Sequence, residues 1–366
     1  DSGLARVDTP AVARPAPPSP ELVEPLEAPS TRLPGRPSST PDTPGRLVTV
    51  ESPLYRFTFS TIGARLVGAT LKNYQSFAPG DSGPANIVPV ESEFLAYRVV
   101  LGRDTVDLST WSFDPSTSHL DVSADGTELA WQAQRGRAVV TLRYRFSPDD
   151  YRFDVQGDLS RTASEGALVL VGMGPGLRMV ESDSVEDRRL SAVVTRARST
   201  EKVDFDDLDP GERQQLSGQF EWVAIKSKYF LAAILTLDAA DPQFGGVALV
   251  GGERPGKQAA RLHVMASLSA PGGRFQHAVY VGPQEYRRVT AMGHELNAVN
   301  PYGWIFRPII QPFSVMIVWV LLWMHENLSL AYGWVLVLFG ILVRGVLWPL
   351  NQKAMRSSMA MQAVQP

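Results

Sequence analysis

Val139-Val-Thr-Leu-Arg-Tyr-Arg-Phe146 alternates apolar and polar side chains without a break: Val140, Leu142, Tyr144 and Phe146 on one face, Thr141, Arg143 and Arg145 on the other. Successive Cβ atoms of a strand point to opposite sides, so this period describes a strand with one buried and one wet face. The pattern recurs outward along the chain. Tyr151, Phe153 and Val155 alternate with Arg152, Asp154 and Gln156; Arg56-Phe-Thr-Phe-Ser60 does the same, and Leu262 to Leu268 less cleanly. Turn signals at Asp125-Gly126, Ser147-Pro-Asp-Asp150 and Pro271-Gly-Gly273 separate the runs. Many half-buried strands with no regular helix between them predict a large antiparallel β-sandwich over residues 47–300. Some helix is expected within it. One is a short polar helix over Glu212 to Phe220. Another follows Pro283, placed as the first helical residue, with Tyr286, Val289, Met292 and Leu296 at helical spacing.

The flanks differ in composition. Residues 1–46 hold eleven prolines and no aromatic residue, too little apolar surface to offset the entropy of ordering. They read as a disordered tether, with a reach approaching ~100 Å at ~3.1 Å per residue where extended. Pro15 to Pro18 also fits a PxxP ligand. The whole chain of 366 residues carries a net charge of −3, and it has no cysteine. The charge argues against a nucleic-acid footprint. The cysteine count removes disulfides, thiolate nucleophiles and Cys-based zinc sites together. The first residue is Asp1 with no signal peptide after it, so the chain reads as a piece of a longer protein.

After residue 300 the character changes again. Tyr332-Gly-Trp-Val-Leu-Val-Leu-Phe-Gly-Ile-Leu-Val-Arg344-Gly-Val-Leu-Trp-Pro-Leu350 is nineteen residues with one formal charge. At ~1.5 Å per residue such a helix spans a bilayer core of ~30 Å. Arg344 at depth costs roughly 2.5–3.5 kcal/mol on insertion scales and marks a water-filled cavity or substrate path; the alternative is an arginine that snorkels past Leu350 to the nearer surface. Five of the eight tryptophans lie between Trp304 and Trp348, and Trp334 and Trp348 bracket the span like an interfacial belt. The earlier apolar stretch Phe313–Trp323 has eleven residues, too short to cross, with Pro312, Pro308 and Arg307 upstream. It is expected to lie in the interface, or to be buried or re-entrant. Lys353 and Arg356 follow the span and no acid appears after Glu326, which puts the C-terminus in the cytoplasm and the sandwich outside.

Motifs for catalysis are weak. Gly251-Gly-Glu-Arg-Pro-Gly256-Lys257 has phosphate-loop spacing, but Gln258 stands where Ser or Thr is needed and no helix follows, so a hairpin turn is expected. Gly172-Met-Gly174-Pro-Gly176-Leu177 fails the dinucleotide fingerprint at its third glycine. The histidines lack zinc-site spacing, and His277, alternating with Phe275 and Val279, is expected in the core or at its rim. Lys226-Ser227-Lys228 suggests a Ser–Lys pair, but neighbours on a strand point apart, so both lysines are expected to be solvated. Asp204, Asp206 and Asp207 are expected in a polar, exposed loop. No reaction is named by these residues.

Leu342-Val-Arg344-Gly-Val-Leu-Trp-Pro349-Leu, followed by Met359-Ala-Met-Gln-Ala-Val-Gln-Pro366, resembles the second transmembrane helix and first cytoplasmic segment of YidC-type membrane protein insertases. Pro301-Tyr-Gly-Trp304 and Trp323-Met-His325 match the family's approach to that helix. Tyr280-Val-Gly-Pro283, Trp222–Phe230 and Val48–Leu71 resemble its periplasmic domain.

The resemblance implies a fold class: mostly β, a large antiparallel mutarotase-like β-supersandwich followed by an interfacial helix and one transmembrane α-helix. It implies a tether at 1–46, a periplasmic sandwich with a C-terminal helix at 47–300, an interfacial amphipathic region at 301–331, a transmembrane helix at 332–350 and the start of a cytoplasmic segment at 351–366. Residues 1–331 would be periplasmic to a bacterial inner membrane, with further helices before and after this chain. Arg344 would be the groove arginine that receives acidic tails of nascent membrane protein clients, alone or beside Sec translocon components. The activity would be translocation without bond-making chemistry, with the lipid bilayer as a partner and neither cofactor, metal nor nucleic acid. The alternative is a membrane-anchored periplasmic carbohydrate-binding or mutarotase-like protein, which requires convergent carboxylates or a His–carboxylate pair in a cleft if it modifies its ligand.

Overall fold

The computed structural model describes residues 45–163, 165–237, 244–253, 261–300, 307–328 and 331–362. The expected tether with its PxxP match, the Pro301-Tyr-Gly-Trp304 segment and the tip of the turn after Gly252 lie outside the described residues.

Three sheets build the sandwich. The largest has nine strands, and Ala138–Phe146 and Arg152–Asp158 lie side by side within it. Its register aligns Leu129, Tyr144, Val155 and His277 across four adjacent strands. Directly paired residues share a face, so this row and its neighbours form one apolar surface. A five-stranded sheet delivers Phe57 and Phe59 to it; Phe59 lies 5.4 Å from Tyr144 and 6.1 Å from Phe153, ring centre to ring centre. A six-stranded sheet delivers Tyr97, 5.4 Å from Phe275. All of these rings but Phe275 are fully or nearly fully buried. Opposed tilted and edge-on aromatic pairs hold both smaller sheets to the larger one. Gly157 is needed here for space: a Cβ at this position would lie 2.1 Å from the Phe275 ring opposite it.

The other face of the large sheet carries Arg143, Gln156 and Gln276 in one row and Asp158 beside Arg274 in the next. The polar half of the sequence alternation ends up here, facing water at one edge and a covering segment at the other.

Four α-helices are present among the described residues: α1 Ser184–Arg189, α2 Tyr286–Ala291, α3 Arg307–Leu328 and α4 Tyr332–Gln362. Several expectations are corrected. Arg213–Phe220 is a strand, not a helix; it lies at the edge of the six-stranded sheet and, among the described residues, pairs only with Phe244–Gly251. An edge strand open to water on one side tolerates the polar composition that suggested a helix. Pro283 closes the strand Arg274–Pro283 instead of opening a helix. Its carbonyl accepts the Tyr280 hydroxyl at 2.6 Å, and α2 starts later, after Glu285. Leu296 belongs to a separate 3-10 turn, Leu296–Val299, because Gly293, His294 and Glu295 all have left-handed backbone that cannot continue a helix. The phosphate-loop-like segment does join two antiparallel strands, Phe244–Gly251 and Leu262–Ala270.

The apolar stretch Phe313–Trp323 grows into the 22-residue α3, with Pro312 inside it. Pro308 sits in the first turn, where its missing N–H is free in any case, and Pro312 removes a single backbone bond. The apolar run that follows, Pro312–Leu328, sustains the helix. Likewise α4 continues through Pro349 to Gln362. Its first part, Tyr332–Pro349, is long and apolar enough to cross a membrane. His325 stacks on Tyr332 at 4.0 Å where the two helices meet.

Candidate functional site

The helix α4 presents apolar side chains outward: Ile341, Val346 and Trp348 are each 64% exposed. Arg344 projects from the same exposed surface. The Trp334 and Trp348 rings stand near the two ends of the apolar part. One cation within the apolar part Tyr332–Pro349 of a helix with no apolar partner over most of that part is therefore the geometry found at the residue singled out from sequence.

A second arrangement was not legible in the sequence. Strands Ala192–Arg196 and Trp222–Lys226 pair so that Arg196 meets Trp222 and Ala192 meets Lys226. On the shared face of this pair lies the segment Met292–Asn300. At one end Arg196 pairs with Glu295 at 2.7 Å and the Trp222 indole Nε1 donates to the His294 carbonyl at 2.9 Å. At the other end Lys226 Nζ donates to Asn300 Oδ1. Leu296 and Val299 are buried between these ties. Asn300 Nδ2 then donates to Gln284 Oε1 at 2.8 Å, and Gln284 Nε2 donates to the Ser227 and Phe230 carbonyls at 2.8 and 2.7 Å. This strap fixes the place where the chain leaves the sandwich for α3.

The strap also overturns the solvated reading of Lys226, which is 8% exposed. Burial pushes its amine down to about 8, helped by nearby Lys202 and opposed by Asp204. Lys228 points the other way and pairs with Glu186 of α1. Ser227 is buried and turns its hydroxyl toward the Phe230 N–H, so no Ser–Lys pair forms. Asp206 and Asp207 are exposed, with Asp207 Oδ2 accepting from the Asp204 N–H. Just before the strap in the chain, Arg287 of α2 pairs with Glu326 of α3, and Trp319 and Trp323 lie along the same groove.

A cleft of about 550 Å³ opens on the polar face of the large sheet, lined by Arg143, Gln156, Asp158, Arg274 and Gln276, among others. Asp158, the one carboxylate among its described lining residues, faces Arg274 at 3.6 Å and is held below the usual range, chiefly by hydrogen bonds from Ser160. Among the described residues neither a second acid nor a histidine lines the cleft. The His–carboxylate pairs His263–Glu93 and His119–Asp121, at 3.3 and 3.2 Å, lie elsewhere. Among the described residues no three His, Asp or Glu side chains are grouped to hold a metal.

Taken together, fold and site define a class: a three-sheet β-supersandwich strapped to a pair of apolar helices, the second of which is long enough for a bilayer. The chain belongs to the YidC periplasmic domain family, whose description matches residues 47–316. It is 26% identical over 338 residues to the membrane protein insertase YidC of Chlorobaculum tepidum, covering 88% of this chain and 55% of that protein. The chain thus spans little more than half the length of the curated relatives it matches. Among solved structures it is similar to the periplasmic domain of Thermotoga maritima YidC, at 10% identity and a TM-score of 0.34, over 69% of this chain and 92% of the other. It is also similar to a galactose mutarotase-like protein from Lactobacillus casei, at 12% identity and a TM-score of 0.39, over 65% of this chain and 99% of the other.

Proposed function

We propose that this chain supplies the periplasmic domain and the first wall of the client groove of a bacterial inner-membrane insertase. The observation that carries the reading is Arg344, the lone cation within Tyr332–Pro349, the apolar, outward-facing part of α4. In a groove that holds water, arginine stays charged, since its side chain does not deprotonate in proteins. A fixed cation within the bilayer lowers the free energy of an acidic segment passing it. Clients would be nascent membrane proteins with acidic outer tails, delivered directly or from the Sec translocon. The insertase activity named for its relatives supports this reading. Residues 1–331 would lie in the periplasm and 351–366 in the cytoplasm, since Lys353 and Arg356 follow the span. No covalent step is required, because the work is positional and electrostatic.

The test is substitution in the full-length protein. Arg344→Ala is expected to reduce insertion of clients with acidic outer tails by about tenfold, the effect of losing ~1.4 kcal/mol of charge stabilisation. Arg344→Lys is expected to retain most activity, since the charge is kept. Insertion yields measured by protease protection decide the matter; equal yields from wild type and a folded Ala variant would remove the electrostatic role.

A further inference from the structure

We propose that the end of the sandwich carrying Phe77, Val185 and Tyr229 rests on the lipid surface of the bilayer that α4 enters. The inference depends on the membrane reading above and adds a second contact to it.

Three separate segments converge at this end. The Phe77 N–H donates to the Val180 carbonyl at 2.7 Å, and the chain from Val180 leads directly into α1. From α1, Asp187 Oδ1 accepts the Lys228 N–H at 3.1 Å and Glu186 pairs with the Lys228 amine. Tyr74, three residues before Phe77, packs edge-on against Phe230 at 5.7 Å. The tips of these segments are not covered: Phe77 is 63% exposed, Val185 55% and Tyr229 48%. Each comes from a different turn or short helix, so no single strand pattern accounts for their exposure.

The occupant follows from where this end lies. Lys226 holds Asn300, the last described residue before α3, beside the Ser227–Phe230 turn. The Gln284 N–H donates to the Tyr229 carbonyl at 2.7 Å, and two residues later Tyr286 begins the groove that contains Trp319 and Trp323 of α3. Trp319 and Trp323 of α3, 63% and 47% exposed, thus share a groove with Tyr286, two residues along the chain from the Gln284 that is tied to Tyr229. A tyrosine with an apolar ring and a polar tip suits a headgroup boundary, and Lys228, its amine paired with Glu186, lies over that ring at 5.1 Å. A sandwich seated this way would not swing freely on its exit segment but would hold a fixed tilt above the groove.

The chain has no cysteine, so single labels can be placed cleanly. Phe77→Cys, Val185→Cys and Tyr229→Cys, each carrying an environment-sensitive fluorophore, would be compared in the full chain reconstituted into phosphatidylcholine–phosphatidylglycerol vesicles. Leu47→Cys marks the far end of the sandwich, since Leu47 pairs with Ser60 while Tyr55, at the other end of that strand, pairs with Leu71 on the way to Phe77. Leu342→Cys marks α4. Nitroxide-bearing lipids are expected to quench labels at 77, 185 and 229 at least about twofold more than at 47. Equal quenching at all four positions, with strong quenching at 342, would overturn the lipid contact and leave the membrane anchor standing. Protection from aqueous iodide without lipid quenching would also overturn it, by showing that protein covers this end. No lipid quenching at 342 would remove the anchor itself.

Discussion

His277 shows how one side chain is made to serve the core. It is fully buried, its Nε2 lies 3.0 Å from the Tyr97 hydroxyl and its Nδ1 3.3 Å from the Ala278 carbonyl. A neutral ring satisfies both contacts, donating from Nδ1 and accepting at Nε2. Burial pulls its pKa down to about 4 from an ordinary value of 6.5. The unfolded chain therefore binds the proton more readily between these values, and stability rises with pH across that window. The contribution is complete above about 6.5 and is lost as pH falls toward about 4, on the order of 3 kcal/mol in all. Denaturant midpoints measured from pH 7 to pH 4 should fall less steeply in His277→Gln than in wild type. Parallel curves for the two proteins would assign the acid sensitivity to other groups, such as Glu93.

At the scale of elements, the strap is the part whose role depends most on partners distant in sequence. Its two ends are tied by Trp222 and Arg196 on one side and by Lys226 on the other. Lys226→Met keeps the apolar length of the side chain, removes a buried amine and leaves Asn300 Oδ1 without this donor. Trp222→Phe removes only the indole donor and some ring volume, a loss of about 1 kcal/mol for the hydrogen bond. Hydrogen exchange of Leu296–Asn300 should accelerate by about tenfold in the Lys226→Met, Trp222→Phe double variant, corresponding to ~1.4 kcal/mol of local opening, while the core row through Tyr144 stays protected. Unchanged exchange in the strap would mean that burial of Leu296 and Val299 alone holds it.

For the whole molecule, the sandwich and the helices are stabilised by different solvents. The sandwich buries its aromatic rows between three sheets, whereas α3 and α4 leave Phe313, Trp319, Trp334 and Ile341 outward. Such a surface is stable in lipid and aggregates in water. A chain ending at Asn300 should stay monomeric without detergent and float with vesicles far less than the full chain, since its lipid contact is only peripheral. Recovery of both chains in the soluble fraction would contradict the assignment of α4 to the bilayer.

The alternation at Val139–Phe146 was sufficient to determine a strand and its inward face, because side-chain direction in a strand is a local property with a period of two. The apolar run Tyr332–Leu350 and the charge within it were equally plain, since length and hydropathy decide what a bilayer accepts. Glu212–Phe220 and Lys226 were misread for the opposite reason. A polar segment becomes an edge strand only when Phe244–Gly251 lies beside it, and a lysine becomes buried only when Met292–Asn300 folds over its face. The pairing of distant strands and the covering of one face by a later segment belong to the tertiary structure, because their free energy comes from surfaces that meet only after the chain has folded.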